Sequence, residues 1–285
     1  MKTWKVVECV VLIVGIACGA CAYAAAPGEG ADNTAPPAEN KGTGGGGSAD
    51  VSPPAEEAAP EDNSEEWRLE LAVYMWLSSI TSTTDVGGKE TTATTKFKDI
   101  LDAVDFAGFT HFEAQRGKWG LFTELDFVKI SAANDVRLKM MPLISVNTAG
   151  SLKETMLELG VLRSFDRERV GFDALAGARY FSFVTDAKFG PIDNSMTKDW
   201  IDPIVGGRLR FKLSEKWGAS IRGDVGGFGL GSELTTNAAA TLGYRISDRY
   251  SVGVGYRYLR IEDDAGRMEL TSETYGPTLG MAIRF

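Results

Sequence analysis

Charged residues recur at every second position in several stretches: Arg68 and Glu70, Glu124 and Asp126, Arg208 and Arg210, Arg222 and Asp224. That spacing places both members of a pair on one face of an extended chain. The same parity in neighbouring segments adds Glu113, Glu158, Asp173, Arg179, Arg245, Arg257 and Arg284, with Tyr74 on the face of Arg68 and Glu70. The positions between are apolar, as with Leu69, Leu71 and Val73. Mixed charges on one face can do two kinds of chemistry. They can neutralise one another as an ion-pair network filling a narrow enclosure, or they can line a path and select solutes by charge. Arg208, Arg210, Arg222, Arg245 and Arg257 point toward an anion-preferring region, which Asp224 and the glutamates can neutralise.

Catalytic readings have less behind them. His111 is the single histidine of the chain and shares a face with Glu113. No serine stands near it in the pattern of a lipase or deacylase, so a hydrogen-bonded structural imidazole is the expectation. Asp263 and Asp264 belong to a link far from His111. Gly227-x-Gly229-x-Gly231 has the look of a phosphate loop, but such a loop must open a helix. Here another strand-like segment follows, where glycine serves bending and close approach. Clustered His or Cys for a metal is missing from the sequence, and the composition is not basic enough for nucleic acid. The expectation is therefore no enzyme, no cofactor and no metal.

The elements that must carry these faces are strands. In Thr274–Phe285, the residues Tyr275, Leu279, Met281, Ile283 and Phe285 fall on one face, while Gly276, Thr278, Gly280, Ala282 and Arg284 fall on the other. This alternation recurs in about ten segments, with cores near 67–78, 105–116, 118–131, 152–165, 169–184, 200–213, 216–229, 234–246, 250–262 and 269–285. Short turns at 116–118, 165–168, 214–216 and 247–249 alternate with longer links near 79–104, 132–151 and 185–199. The pattern is that of an all-β, antiparallel up-and-down transmembrane barrel with apolar residues toward lipid and polar ones toward the lumen. Merging or splitting weak segments gives eight or twelve strands, and a soluble β-sandwich is the alternative fold. Trp67, Trp76, Trp119, Trp200, Trp217, Tyr244, Tyr250, Tyr256, Tyr258 and Phe285 sit near segment ends, as an aromatic girdle requires. After the leader, the chain has no apolar run long enough for a spanning helix.

Two segments precede the barrel. Residues 1–26 read as an export signal: Lys2 and Lys5, an apolar run from Val6 to Ala17, then Ala22-Tyr23-Ala24 as a cleavage site. Cys9, Cys18 and Cys21 all lie there, and Gly15-Ile16-Ala17-Cys18 offers a lipoprotein box as a second reading. Residues 27–66 are rich in Ala, Pro, Gly, Glu and Asp, and such a stretch cannot bury enough surface to offset its chain entropy. Its ten acidic residues face only Lys41, so its net charge of −9 matches that of the whole chain. The expectation is an acidic spacer in the periplasm, with a periplasmic binding partner as the minor reading. The domain that follows, 67–285, is close to neutral.

Arg222-Gly-Asp-Val-Gly-Gly-Phe-Gly-Leu-Gly-Ser232, Gly243-Tyr-Arg-Ile-Ser-Asp-Arg249 and Gly255-Tyr-Arg-Tyr-Leu259 resemble a group of proteobacterial outer-membrane β-barrel proteins. These are related in architecture to small barrels of the outer-membrane protein A and W kinds. Asp99–Phe106 and Gly117–Phe122 are similar to the same group, and the resemblance covers most of 67–285. It implies a barrel in the bacterial outer membrane, in contact with its lipid. It also implies recognition by the barrel-assembly machinery through the apolar face of the last strand, Tyr275, Leu279, Met281, Ile283 and Phe285. It assigns no catalytic or ligand residue. The expected function is a structural barrel or a narrow channel for small solutes, with binding or adhesion through external loops as the alternative.

Overall fold

The computed structural model describes residues 66–137, 145–189, 192–264 and 268–285, with side chains of 132–148, 189, 192 and 268 left out of the description. The expected leader and nearly all of the acidic arm lie outside the described residues. The strands are β1 (Arg68–Trp76), β2 (Ser79–Val86), β3 (Lys89–Thr95), β4 (Val104–Arg116), β5 (Trp119–Arg137) and β6 (Ser145–Asp166). They continue with β7 (Val170–Phe189), β8 (Ile192–Lys212), β9 (Trp217–Gly227), β10 (Leu234–Arg245), β11 (Tyr250–Asp264) and β12 (Met268–Arg284). One short helix, α1 (Phe97–Leu101), stands before β4.

Ten of these strands form a closed antiparallel ring, because β1 pairs with β4 on one side and with β12 on the other. Closure leaves no unpaired sheet edge around the ring, which is what a strand-built structure needs to cross hydrocarbon. The closing seam is the last strand: Leu71 faces Ile283, Val73 faces Met281 and Met75 faces Leu279. The turns joining β4–β5, β6–β7, β8–β9 and β10–β11 have two to four residues and gather at one end, with Arg68 and Phe285.

The opposite end departs from expectation in two ways. Residues 79–104, expected as a link, hold β2, β3 and α1. Beyond Trp76 the chain steps over Leu77 and Ser78 and continues as β2, which pairs with the upper half of β12. A hairpin then turns at Gly87-Gly88, both with positive φ (61° and 83°), as a two-residue primed turn demands. Thr81 and Thr83 hydrogen-bond across to Thr94 and Thr92. Beside the hairpin, Ile100 of α1 packs against Ile130 with Ile80 and Val104.

The second departure is strand length. The links expected at 132–151 and 185–199 are largely strand, so β5–β8 have 19 to 22 residues against 11 and 12 in β9 and β10. Seven to eleven extra residues at about 3.4 Å each lengthen the strands on that side of the wall by roughly 24–37 Å. In this overhang Ser195 and Ser151 donate to Asp186 at 2.7 and 3.0 Å and hold its carboxyl below the usual carboxylate range.

The outer surface carries an apolar belt including Val73, Leu121, Leu159, Val161, Ile201, Val205, Ile221, Val254 and Met281, all exposed. Trp119, Phe165, Trp217, Tyr250 and Phe285 are exposed around the short-turn end. Trp76 and Trp200 are not part of this girdle. Both point inward: Trp76 shares the parity of Tyr74, and Trp200 stacks on Phe181 and Phe183 at 5.0 and 5.5 Å.

Candidate functional site

The interior is filled in layers. At mid-height Arg179 donates through Nε to Glu158 at 2.7 Å and through Nη2 to Asp224 at 2.5 Å. Arg222 reaches Glu158 at 2.6 Å, Glu124 at 3.1 Å and Asp224 at 3.1 Å. Arg257 donates to Tyr74 at 2.7 Å and to Asp126 at 2.9 Å, and its guanidinium lies 4.7 Å over the Trp76 ring. Asn237 ties the two halves, donating to Asp224 and accepting from Arg257. Each of these carboxylates meets an arginine, and such contacts are what offset the cost of taking charges from water. Strand parity delivers them, since residues two apart share a face and adjacent strands hold them level: Glu124 faces Glu158 in register, and Glu158 faces Arg179.

Toward the short-turn end Arg208 clamps both oxygens of Glu113 at 2.7 and 3.0 Å, and its Nε bonds Asp173 at 2.7 Å. Arg210 also donates to Asp173, at 2.9 Å, and extends to Asp166 at 2.7 Å. Ser164 donates to Asp173 at 2.6 Å and accepts from Gln115 at 2.7 Å. Gly160 makes room below the network: a Cβ there would lie 2.5 Å from the Phe122 ring.

On the other side of the network Trp76, Phe109, Met156, Phe181, Leu259 and Ile261 form an apolar layer. Phe181 and Met156 in this layer are 0 and 1 % exposed, and Glu158, Arg179 and Asp202 are each 0 % exposed. Asp202 accepts from the Ser232 backbone N–H at 2.8 Å, the Ser232 hydroxyl at 2.7 Å and the Thr235 hydroxyl at 2.5 Å. It thereby ties the β9–β10 turn onto the top of the interior. In that turn Gly227 and Gly229 have φ of 87° and 72°, so the glycine run serves backbone shape, and a strand follows it.

Two connected hollows remain at the short-turn end. One, about 330 Å³, follows the inner wall of β9–β12 and β1, where Ala72, Ala239, Thr241, Gly243, Gly253 and Ala282 are small. The other, about 470 Å³, lies at the mouth and is lined by seven Lys and Arg against three Asp and Glu.

No family model matches the chain, and no curated protein matches it either. Among solved structures, the outer-membrane protease OmpT from Escherichia coli is 9% identical, with 80% of this chain and 99% of that one covered and a TM-score of 0.42. Ail, the attachment invasion locus protein of Yersinia pestis, is 12% identical over 77% of this chain and 99% of its own, with a TM-score of 0.36. Neisserial surface protein A is 9% identical over 77% and 97%, with a TM-score of 0.30. These likenesses are too distant to carry an argument about this chain's site.

Of the charged residues expected on the inner face, Glu113, Glu124, Asp126, Arg179, Arg208, Arg222, Asp224 and Arg257 meet in the network, with Arg210 half-exposed at its margin. Arg68 and Arg245 share the parity but stand exposed at the mouth, and Glu70 pairs there with Arg284 at 2.9 Å. Four of the five arginines expected to favour anions are engaged by carboxylates, so their charge is spent inside the wall. Asp202 and Asn237, both buried, also belong to the interior though neither is among the residues expected there. The parity of Arg208 would have found Asp202, and the parity of the Ala239–Thr241 face would have found Asn237. His111 places Nε2 3.6 Å from Glu113 and Nδ1 3.5 Å from Glu124. With both ring nitrogens turned to carboxylates, neither is presented to a nucleophile as a general base requires.

Proposed function

We propose that this chain is a non-enzymatic structural barrel of the bacterial outer membrane, with its interior braced and filled rather than open to solutes. The carrying observation is an ionic layer whose Glu158, Arg179 and Asp224 side chains are sealed from solvent, with an apolar layer directly above it. Small barrels fill their interiors with side chains in this way, whereas a conducting pore needs a continuous water path. The apolar belt, the aromatic residues at the short-turn end and the export leader read from the sequence support the outer membrane as its place. On that reading the short-turn end faces the periplasm. The outward Leu279, Met281 and Phe285 of the closing strand then present the signal for the barrel-assembly machinery.

The test is single-channel recording of the refolded chain in a planar bilayer. Silence from protein shown to be folded is the expected result, and discrete reproducible steps would overturn it. A second reading, binding through the external side, is favoured by the overhang of β5–β8. It carries a hollow of about 390 Å³ lined by Ser131, Ser151, Asp186, Lys188 and Asp193.

A further inference from the structure

The mouth at the short-turn end is strongly cationic, and the segment that enters the barrel there is strongly anionic. We propose that the acidic arm, residues 27–66, docks onto the cationic mouth of its own barrel.

Three observations carry this. Of the seven Lys and Arg lining the mouth hollow, Arg210 and Arg284 are paired with Asp173 and Glu70, which leaves Arg167, Arg169, Lys212, Lys216 and Arg245 against Asp166, Glu168 and Glu215. Lys212 and Arg245 lie on the inward parity of β8 and β10, so they face the hollow and not the lipid belt. The arm is the chemical complement: Glu56, Glu57, Glu61, Asp62, Glu65 and Glu66 put six acids within eleven residues, directly ahead of Trp67. And the two are tethered at the same end, because Arg68 pairs with Gln115 beside the β4–β5 turn and the Phe285 N–H bonds Leu69. Ten residues reach at most about 33–36 Å, so Glu56 and Glu57 lie within range of the rim. Tethering at that range corresponds to an effective concentration on the order of millimolar, so even weak charge pairing suffices. The hollow, about 470 Å³, admits a few side chains and a short run of backbone, not a folded unit.

Carbodiimide coupling tests the proposal with native residues, since it joins a carboxylate to a lysine amine with loss of water wherever the two touch. The exported chain, purified in detergent, is coupled at low and at high salt and its peptides are read by mass spectrometry. Docking gives amide links from Glu56 or Glu57 to Lys212 or Lys216. Their yield falls several-fold at high salt, where the screening length shrinks to about 3 Å at 1 M. It also falls several-fold in the triple variant Arg167→Gln, Arg169→Gln, Arg245→Gln, which keeps both lysines and none of whose changes touch the buried network. Chains mixed from two isotope labels should give links within one chain. Links confined to Glu65 and Glu66, or a yield indifferent to salt and to the triple variant, would reduce the contact to chance proximity and overturn the proposal. Links mainly between differently labelled chains would assign the mouth to a second copy and overturn it equally.

Discussion

Arg179 shows why the interior charges stabilise the barrel only as a set. It is fully buried between Glu158 and Asp224, and Glu158 is shared with Arg222. Removing one member strands the others in a medium that solvates ions poorly, at a cost of about 3–5 kcal/mol. Arg284 and Glu70, exposed at the mouth, pair at a similar distance in water, where such bridges are worth about 0–1 kcal/mol. Urea unfolding in lipid vesicles, followed by tryptophan fluorescence, should therefore show a large fall in midpoint for Arg179→Met and almost none for Arg284→Met. Equal losses would mean that the buried network is not what separates the two sites. A single carboxylate, Asp202, holds the β9–β10 turn. Asp202→Ala deprives Ser232 and Thr235 of their acceptor, so limited proteolysis should cut within 228–233 several-fold faster while the barrel strands stay protected. Unchanged cleavage would show that the turn holds itself.

Among the elements, β2, β3 and α1 are additions to the ring and should be separable from it. Valine at Gly87 and Gly88 opposes the positive φ of both positions, so the hairpin should fray while the ring closes as before. The expected readout is rapid amide exchange confined to 79–95, with the barrel amides unchanged; loss of the whole barrel would make the hairpin part of the fold's foundation. This region also marks where the sequence was hard to read. The ring strands were legible because one face of each meets lipid and the other a packed lumen, which imposes a sharp period of two. Residues 79–95 are mostly Ser and Thr, polar on both faces, and lose that contrast; the remaining signal was Gly87-Gly88 between two Thr-rich runs. The upper parts of β5–β8 blurred in the same way, since above the apolar belt neither face must be apolar. The inner charges were recoverable by parity, but their partners were not. Arg257 and Tyr74 are 183 residues apart, and only the closed ring brings them together.

For the whole molecule, closure predicts a mobility shift. Unboiled protein in detergent gels should run apart from the boiled form, with a β-rich circular dichroism spectrum up to the temperature at which the two bands merge. Identical bands, with a folded spectrum before boiling and an unfolded one after, would point to a structure without a closed ring. A cylinder held together only by its wall flattens easily when squeezed from the side. Here Arg222 on β9 reaches Glu124 on β5, Arg208 on β8 reaches Glu113 on β4, and Arg257 on β11 reaches Asp126 on β5. These side chains run between opposed parts of the wall like spokes in a wheel. They make the cross-section resist ovalisation, so that the sideways pressure of packed lipid tails is borne by struts as well as by the hoop.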